Sequence, residues 1–269
     1  MPEGDAVFLT ARRLDRALAG QQLTRTDFRW PSLATVSLAG ATVLRTATHG
    51  KHLLTRMQHD GRELTLHTHL KMEGRWRTID VGRKWPAPVQ DVRVVLTSAQ
   101  KEAVGFRLAI VELLPTADEH TVIGHLGPDL LATDWGEEHE TEAVRRLLAD
   151  PDRPLGEALL DQTTVAGIGT IWLAETCFVS GVNPLAPVTA VKDPVRLLRR
   201  ARQMLRTAVK ESRPVTTGDK RNPLWVYRRH REPCRRCGTA LVAGPIGDEG
   251  QQRTTYWCPS CQPEVGGDP

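Results

Sequence analysis

Four cysteines near the C-terminal end constrain this chain more than any other feature. They form two Cys-x2-Cys pairs, Cys234 with Cys237 and Cys258 with Cys261, and 20 residues separate the pairs. In a chain without signs of secretion, such pairs indicate a metal site rather than disulfides. Four thiolates fill the tetrahedral shell of Zn²⁺ and leave no position for a reacting water. The spacing therefore predicts one structural zinc ion, with unpaired core cysteines as the alternative.

The stretch between the cysteine pairs has the pattern of a hairpin. Its sequence, LVAGPIGDEGQQRTTYWC, has strand-forming residues at both ends and a glycine-rich centre. A module this small needs its metal to fold. We expect two strands with Arg253 at or near the tip of the hairpin.

One region of the chain is strongly basic. The 269 residues carry a formal net charge of only +4. Between Lys192 and Arg236, however, 15 Lys and Arg stand against 4 Asp and Glu. Such a stretch suits the phosphate backbone of a nucleic acid, although a solvated helix face with a basic loop gives the same pattern.

No segment indicates a membrane or a secretory route. No apolar run approaches the roughly 20 residues that a membrane-spanning helix needs. The N-terminus lacks the basic and then apolar layout of a signal peptide. We therefore expect a cytoplasmic protein without a membrane partner.

Periodicity near the N-terminus predicts one helix. Asp5 lies in its first turn, where the helix dipole favours an anion, and Gly20 is a natural stop. The apolar residues recur at helical spacing: Val7, Ala11, Leu14 and Leu18.

Short segments rich in Val, Leu, Ile and Thr replace the helical pattern from about Leu33 to Leu114. The segments are ATVLRTAT, HLLTRM, ELTLHTHL, VRVVLTS and FRLAIVEL. Asp60 and Gly61, between the second and third segments, indicate a tight hairpin. We predict a β-sandwich or barrel preceded by one helix.

Helical patterns return near Glu137. The stretches EEHETEAVRRLLAD, LGEALLDQ and TIWLAETCFVSG predict three helices, the last two joined by a tight TTVAGIG turn. Asp193 as N-cap and Pro194 as first residue begin a fourth helix, which Pro214 ends. Its predicted buried face consists of Leu198, Ala201, Leu205 and Ala208.

The turn before TIWLAETCFVSG has features of an anion site. Gly167 and Gly169 allow close backbone approach, and Thr170 can cap the helix that follows. Free N–H groups at such a helix start suit a phosphate. A plain turn between two helices gives the same Gly-x-Gly pattern, so both interpretations stay open.

Single residues in the strand region carry weaker signals. A lone lysine such as Lys51 is by default solvated surface, and a single methionine such as Met72 is by default core. His67 and His69 alternate with a threonine and share one strand face. Without a third ligand we favour packing or hydrogen-bonding roles over metal for both.

Together these motifs resemble the formamidopyrimidine-DNA glycosylase and endonuclease VIII family of base-excision repair enzymes. The matching pieces occur in family order across nearly the whole chain: PEG, HGKHLL, HLKMEGRW, LGPDLL, LLDQTTVAGIGTIWLAE, REPCRRCGT and RTTYWCPSC. The resemblance implies an α+β multidomain fold with DNA in the cleft between its lobes. The expected domains are an N-terminal two-layer β-sandwich with flanking helices over residues 2–132, a helix–two-turns–helix domain over 133–224 and a zinc finger over 225–263.

The resemblance implies a nucleophile at the N-terminus. Removal of Met1 would leave Pro2 with a secondary amine, and an α-amino group titrates near about 7.7–8.0. A helix start and a nearby Lys51 would lower the charged share of that amine. Pro2 would attack C1′ of the damaged nucleotide, displace the base and form an iminium intermediate.

Three further residues complete the catalytic set that the resemblance implies. Glu3 would protonate the sugar ring oxygen or its opened form, which favours a partly desolvated carboxyl with a raised pKa. We assign the competing carboxylate, Asp5, to the helix start. Lys51 would assist β-elimination and Arg253 δ-elimination, because both leaving groups are phosphate oxyanions.

The resemblance also implies four DNA contacts. The target base must leave the duplex before C1′ is accessible, and Met72 beside Lys71 matches the family position of a wedge that fills the gap. Thr170 stands where many relatives carry asparagine, so a single hydroxyl replaces the two polar atoms of a side-chain amide in the expected DNA contact. His125, just before LGPD, stands where some relatives have arginine.

The expected partner is damaged double-stranded DNA, with single-stranded and abasic-site DNA left open, and we expect a monomer. Guanine-lesion members insert an arginine-rich loop opposite the lesion, and EAVGFRLAIVELL lacks it. This favours a bifunctional glycosylase and AP lyase that removes oxidised pyrimidines by β,δ-elimination. The alternatives are the same chemistry on 8-oxoguanine or formamidopyrimidine lesions, and a non-catalytic protein that binds damaged DNA.

Overall fold

Two compact units make up the computed structural model of this chain. One unit holds Pro2 and Ala6–His125, and the other holds Glu3–Asp5 and the described residues from Leu126 onward. The predicted division into three domains is finer than this and stays a prediction. The residues that the structure describes are 2–247, 250 and 252–264.

The predicted N-terminal helix is confirmed as α1 (Gly4–Leu18), with Asp5 in its first turn. Its apolar stripe is almost completely buried, since Val7, Ala11 and Leu14 are at most 3 % exposed. These side chains join the core of the first unit.

Eight strands of the first unit form two antiparallel four-stranded sheets. The first sheet has the order β1-β6-β7-β5 and the second β2-β3-β4-β8. The strands are β1 (Arg25–Phe28), β2 (Thr42–His49), β3 (His52–His59), β4 (Arg62–His69), β5 (Arg75–Asp80), β6 (Val92–Thr97), β7 (Lys101–Phe106) and β8 (Ile110–Pro115). Side chains from both sheets share one apolar core, which confirms a sandwich rather than a barrel.

The register of β3 and β4 separates two faces of the second sheet. Leu53, Met57 and Leu66 point into the sandwich core. Because side chains alternate along a strand, His52 and His67 lie on the opposite face. The face of this sheet that points away from the core therefore carries these histidines, and we call it the polar face.

The Asp-Gly hairpin prediction is confirmed between β3 and β4. Asp60 and Gly61 have φ values of 45° and 75°, the paired positive φ of a type I′ turn.

The predicted strand FRLAIVEL is wrong at its start. Phe106 ends β7, Arg107 turns the chain with φ 46°, and β8 begins only at Ile110. Two ion pairs hold Arg107 in this conformation, to Asp91 at 2.9 Å and to Glu73 at 3.0 Å. Strands β1, β5 and β7 were not predicted, because pairing with neighbours rather than local pattern defines them.

Helices dominate the second unit, and the predicted helices are confirmed. The last helix of the first unit is the short α2 (His120–Ile123). The described elements of the second unit are the helices α3 (Glu137–Leu147), α4 (Leu155–Leu160), α5 (Thr170–Ser180) and α6 (Pro194–Glu211) and the strands β9 (Val242–Ile246) and β10 (Arg253–Trp257). The Asp193 side chain caps α6 by accepting the N–H of Arg196 at 2.9 Å. The predicted face of α6 is buried. None of the described helices combines the length and apolarity needed to cross a membrane.

Candidate active site

The N-terminal segment places a carboxylate at the start of helix α5. Glu3 is only 3 % exposed. Its Oε1 accepts the N–H of Ile171 at 2.9 Å, and its Oε2 accepts the N–H of Trp172 at 3.3 Å. These amides and the helix dipole stabilise the carboxylate, whereas burial favours the protonated acid. The site therefore holds the Glu3 carboxyl group in a fixed position, where one effect favours its ionised form and the other its protonated form.

Thr170 does not cap α5 as predicted. Gly169 occupies the N-cap position, and Thr170 is the first helical residue. The Thr170 hydroxyl instead donates to Glu3 Oε1 at 3.4 Å. Glu3 thus supplies the capping acceptor and occupies two of the amides predicted to bind an anion. The DNA contact of Thr170 stays a prediction.

Close packing against the N-terminal segment and backbone conformation together explain the Gly-x-Gly pair. A Cβ on Gly169 would lie 2.3 Å from Glu3 Cδ, and a Cβ on Gly4 would lie 2.8 Å from Gly167 Cα. The N–H of Gly4 donates to the Gly167 carbonyl at 2.9 Å. Gly169 therefore has no room for a side chain. At Gly167 the backbone itself favours glycine, because its φ is 107° and a Cβ there would meet only ordinary contacts of 3.6 Å or more.

Asp5 has a different partner from Glu3. It is 5 % exposed, and its Oδ1 accepts the indole N–H of fully buried Trp172 at 2.9 Å. The two neighbouring acids therefore differ in role: Asp5 accepts a hydrogen bond from a side chain of α5, and Glu3 accepts the backbone N–H groups at the start of that helix.

Sequence reasoning missed Gln162, which fastens the turn before α5. Its Oε1 accepts the N–H of Gly167 at 3.0 Å, and its Nε2 donates to the carbonyls of Leu160 at 2.7 Å and Ile168 at 2.9 Å. A polar residue inside a tight turn between two helices was the available signal.

Glu175 was also missed. It is fully buried on α5, and its carboxylate accepts the N–H groups of Trp225, Val226 and Tyr227, each at 2.9 Å. The Thr216 hydroxyl donates to the same carboxylate. Glu175 thus anchors the loop after α6 to α5, and a lone acid inside the apolar TIWLAETCFVSG helix was the signal.

Lys51 lies in the turn between β2 and β3. It is only 5 % exposed, so the default of a solvated surface lysine is wrong. Pro2, in the same unit, is half-buried two residues before the start of α1. The catalytic roles of both residues stay predictions, and Met1 lies outside the described residues.

The turn after β4 presents Met72 to solvent. Met72 is 69 % exposed, so the default of a core methionine is wrong. Lys71 has φ 49°, and its N–H donates to His69 Nδ1 at 3.0 Å. The Glu73–Arg107 ion pair braces the other end of the turn. A braced turn with an exposed apolar side chain suits a wedge, and the roles of Lys71 and Met72 stay predictions.

Histidines cluster on the polar face of the second sheet. His67 and His69 share this face, as predicted, and His52 lies opposite His69 in the strand register. Burial, reinforced by neighbouring histidines and lysines, lowers the pKa of His52 to about 3 and that of His69 to about 4. His125 is exposed and close enough to contribute to the shift at His52, while its DNA contact stays a prediction.

These shifts predict an acid-dependent loss of stability. The folded-state pKa of His52 and His69 lies below the unfolded value of about 6.5, so between about pH 4 and 6.5 the unfolded chain binds more protons. The free energy of unfolding should therefore fall as pH is lowered through this window. Urea unfolding at several pH values measures the slope. The variant His52→Asn should show a shallower slope, and an unchanged slope would contradict the assignment.

The four predicted cysteines converge in the second unit. The sulfur atoms of Cys234, Cys237, Cys258 and Cys261 all lie within 4.8 Å of one another. Two of the pairs are 3.5 and 4.0 Å apart, and tetrahedral zinc with Zn–S bonds of about 2.3 Å places sulfurs about 3.8 Å apart. The N–H groups of Arg236 and Cys261 donate to cysteine sulfurs at 3.4 Å. The cluster can hold one metal ion.

The hairpin between the cysteine pairs is confirmed. Strands β9 and β10 pair antiparallel, with Arg253 opposite Ile246. Arg253 is exposed as the first residue of β10, and part of the tip before it lies outside the described residues. Its role in δ-elimination stays a prediction.

Comparison with known proteins defines the class of protein first. A structure described as the complex between the Lactococcus lactis Fpg and an abasic site containing DNA has a TM-score of 0.79 at 23 % identity, and the match covers 97 % of this chain and 100 % of that one. The chain thus has an Fpg-like fold, with a β-sandwich, a helical H2TH region and a four-cysteine cluster.

Sequence comparison then gives the family. The models of the Formamidopyrimidine-DNA glycosylase N-terminal domain and H2TH domain match residues 1–108 and 126–218. "Probable endonuclease 8 2" of Streptomyces coelicolor is 47 % identical over 99 % of this chain and 97 % of that protein. "DNA-(apurinic or apyrimidinic site) lyase Nei2" of Mycolicibacterium smegmatis is 47 % identical over 97 % of this chain and 99 % of that protein. The chain belongs to the formamidopyrimidine-DNA glycosylase and endonuclease VIII family, as the sequence predicts.

Proposed function

We propose that this protein is a bifunctional DNA glycosylase and AP lyase of base excision repair. The observation that carries the proposal is the 47 % identity, over nearly the full length of both chains, to a protein named as an AP lyase. The buried carboxyl of Glu3, one residue after the proposed nucleophile, supports it. The proposed place of action is the cytoplasm, on chromosomal DNA, with the protein as a monomer.

Pro2 is the proposed nucleophile. Its unprotonated nitrogen attacks C1′ and the C1′–base bond breaks. The nitrogen, now bonded to C1′, gives up its proton, which leaves with the base. The sugar ring opens when Glu3 delivers a proton to O4′, and the nitrogen and C1′ become an iminium ion. A secondary amine forms this cation directly, which gives proline a chemical reason to be at this position.

Strand cleavage follows from the iminium ion. Loss of a C2′ proton expels the 3′ phosphate, and a second elimination expels the 5′ phosphate. Lys51 and Arg253 are the proposed cations for these two departures, because each leaving group carries negative charge.

Oxidised pyrimidines are the proposed lesions. Two relatives with names of the endonuclease 8 type are 46 % or 47 % identical to this chain over nearly its full length. The absence of the arginine-rich loop from the sequence points the same way. Excision of 8-oxoguanine or formamidopyrimidine is the alternative outcome of a lesion panel.

Several surfaces of the chain suit a DNA backbone. A groove of about 590 Å³ on α6 is lined by the cations Arg199, Arg202, Arg206 and Lys210 together with Trp135. Met72 is the proposed wedge, with Lys71, His125 and Thr170 as further DNA contacts. Damaged duplex DNA is the proposed partner.

Zinc is the proposed metal of the four-cysteine cluster. Four thiolates in two Cys-x2-Cys units, with sulfur spacing near that of a tetrahedron, match its preference and leave no open position. The ion would hold the hairpin of Arg253 in place and take no part in the bond-breaking steps.

Borohydride trapping tests the proposed nucleophile. An abasic-site duplex should form a covalent adduct with the mature protein, and mass spectrometry should locate it on the peptide that begins at Pro2. The matched control retains an N-terminal tag, which converts the Pro2 amine into an amide. That form should not give an adduct at Pro2, because an amide nitrogen is not nucleophilic.

Two other results of the trapping experiment would contradict parts of the proposal. No adduct from mature protein of verified mass would support a non-catalytic DNA-binding protein instead. An adduct on Lys51 or another amine would keep the lyase activity but overturn the role of Pro2.

A further inference from the structure

A chain of hydrogen bonds links three side chains on the polar face of the second sheet. Glu112 Oε2 lies 2.8 Å from His67 Nδ1, and His67 Nε2 lies 2.8 Å from His52 Nδ1. The centroids of the His52 and His67 rings lie 5.0 Å apart with an interplanar angle of 12°, the near-parallel orientation that an in-plane bond between two ring nitrogens needs. The chain crosses three strands, β8, β4 and β3, along one face of the sheet.

The chemistry of each group fixes the direction of this chain. An ionised carboxylate only accepts, so His67 donates from Nδ1 to Glu112. A neutral His67 then has a lone pair on Nε2, and His52 must donate from its own Nδ1. His52 Nε2 is consequently the unprotonated nitrogen at the end of the chain.

The end of this chain adjoins the turn that carries Lys51. His52 is the first residue of β3, directly after Lys51, and it pairs with His49 across the turn. The His69 ring contacts the His52 ring edge-on at 4.8 Å. Lys51 is close enough to His69 to disfavour its protonation. The buried ammonium thus lies beside a group of imidazole rings.

We propose that Glu112, His67 and His52 form a positioning relay that orients the Lys51 turn and keeps a neutral ring beside the Lys51 ammonium. The inference rests on the proposed function, in which Lys51 meets a departing phosphate. A neutral His52 avoids repulsion between two adjacent cations and leaves Lys51 as the local charge. The Glu112 carboxylate selects the tautomer of His67, as carboxylates do for histidines in other sites.

The surroundings of His52 favour the neutral ring. His49, His67, His69 and His125 surround it from three segments of the chain, and Lys51 and Lys71 act on the neighbouring His69. A proton on His52 would add a charge to this already basic group. Burial, reinforced by these neighbouring histidines, lowers the pKa of His52 to about 3.

Glu112→Gln tests the relay in the full-length, metal-loaded protein. Glu112 is half exposed and glutamine keeps its shape, so folding should be retained. Glutamine can donate as well as accept, so the tautomer of His67 is no longer dictated. We expect the single-turnover rate of β-elimination on an abasic-site duplex to fall by roughly tenfold to a hundredfold, because small misplacements at a reacting centre have effects of this size. DNA binding should change little.

Glu63→Gln is the matched control. Glu63 is an exposed glutamate on β4 and on the same face of the sheet as His67. Its replacement should leave the elimination rate at the parental value, since it lies outside the hydrogen-bonded chain.

A spectroscopic measurement reports on the relay independently of rate. Long-range proton–nitrogen spectra of the parent, with ¹⁵N-labelled histidine, should show His67 and His52 with the proton on Nδ1 and His69 with the proton on Nε2. In Glu112→Gln the first two should change to mixed tautomers. An Nε2–H tautomer at His52 in the parent, or an unchanged elimination rate in Glu112→Gln, would overturn the relay. A parent without lyase activity would instead overturn the proposed function.

Discussion

Replacing Glu3 by glutamine should reduce base excision by roughly a hundredfold to ten-thousandfold, the range that general acid catalysis contributes. The carboxyl is 3 % exposed and bound to the N–H groups of Ile171 and Trp172, so its position is fixed before substrate binds. Glutamine retains one acceptor oxygen but has no proton of suitable acidity to deliver. Single-turnover excision of an oxidised pyrimidine from a defined duplex measures the loss.

The same change should lower stability only modestly. The glutamine NH₂ would face the N–H of Trp172, a mismatch of donors that costs about 1–3 kcal/mol. Thermal unfolding separates this effect from the loss of chemistry.

Asp5→Asn is the matched control for Glu3→Gln. The amide oxygen of asparagine can still accept the Trp172 indole N–H, which lies 2.9 Å from Asp5 Oδ1. Excision should stay within a few-fold of the parent. Equal losses in the two variants would mean that both acids serve folding, and Glu3 would lose its assignment as the acid.

Replacing Cys258 by alanine should remove the bound metal and unfold the C-terminal module. Cys258 is fully buried, and its sulfur lies 3.5 Å from Cys237 Sγ. Binding of structural zinc to such sites is worth about 10–16 kcal/mol in small peptides and is coupled to folding. The variant should contain almost no zinc by elemental analysis. It should also bind abasic-site DNA much more weakly, because Arg253 loses its support.

Cys177→Ala is the control for this experiment. Cys177 is fully buried on α5, and burial raises the pKa of its thiol to about 12, so it does not present a thiolate to a metal. This variant should keep one zinc per chain and lose only the stability associated with a small cavity. Retention of zinc in Cys258→Ala would contradict the four-thiolate site.

Local patterns predicted the elements whose signals are contained in a few neighbouring residues. The apolar spacing of α1, the cap of α6 at Asp193 and the turn at Asp60 and Gly61 are all confirmed. Strands β1, β5 and β7 escaped prediction, because their pairing with partners defines them more than their own pattern.

The sequence was enough to name several residues of the candidate site but not to predict which of them contact one another. The N-terminal motif named Glu3, yet its partner Thr170 lies 167 residues away in the sequence. The same holds for Glu175, whose carboxylate binds backbone amides 50 to 52 residues further along the chain. No short-range pattern specifies such pairs, because they form only when the chain is folded.

The sequence by itself determined the family and the four cysteines of the metal site, because the order of the motifs and the cysteine spacing carry that information directly. The proposed nucleophile, Pro2, follows from the resemblance to the family. The tertiary structure decided what the remaining groups do. It showed that Glu3 rather than Thr170 caps α5, that Lys51 is buried and Met72 exposed, and that strand register joins Glu112 to His52 through His67. The physical reason is that burial and hydrogen bonding depend on contacts between distant segments, which only the folded chain brings together.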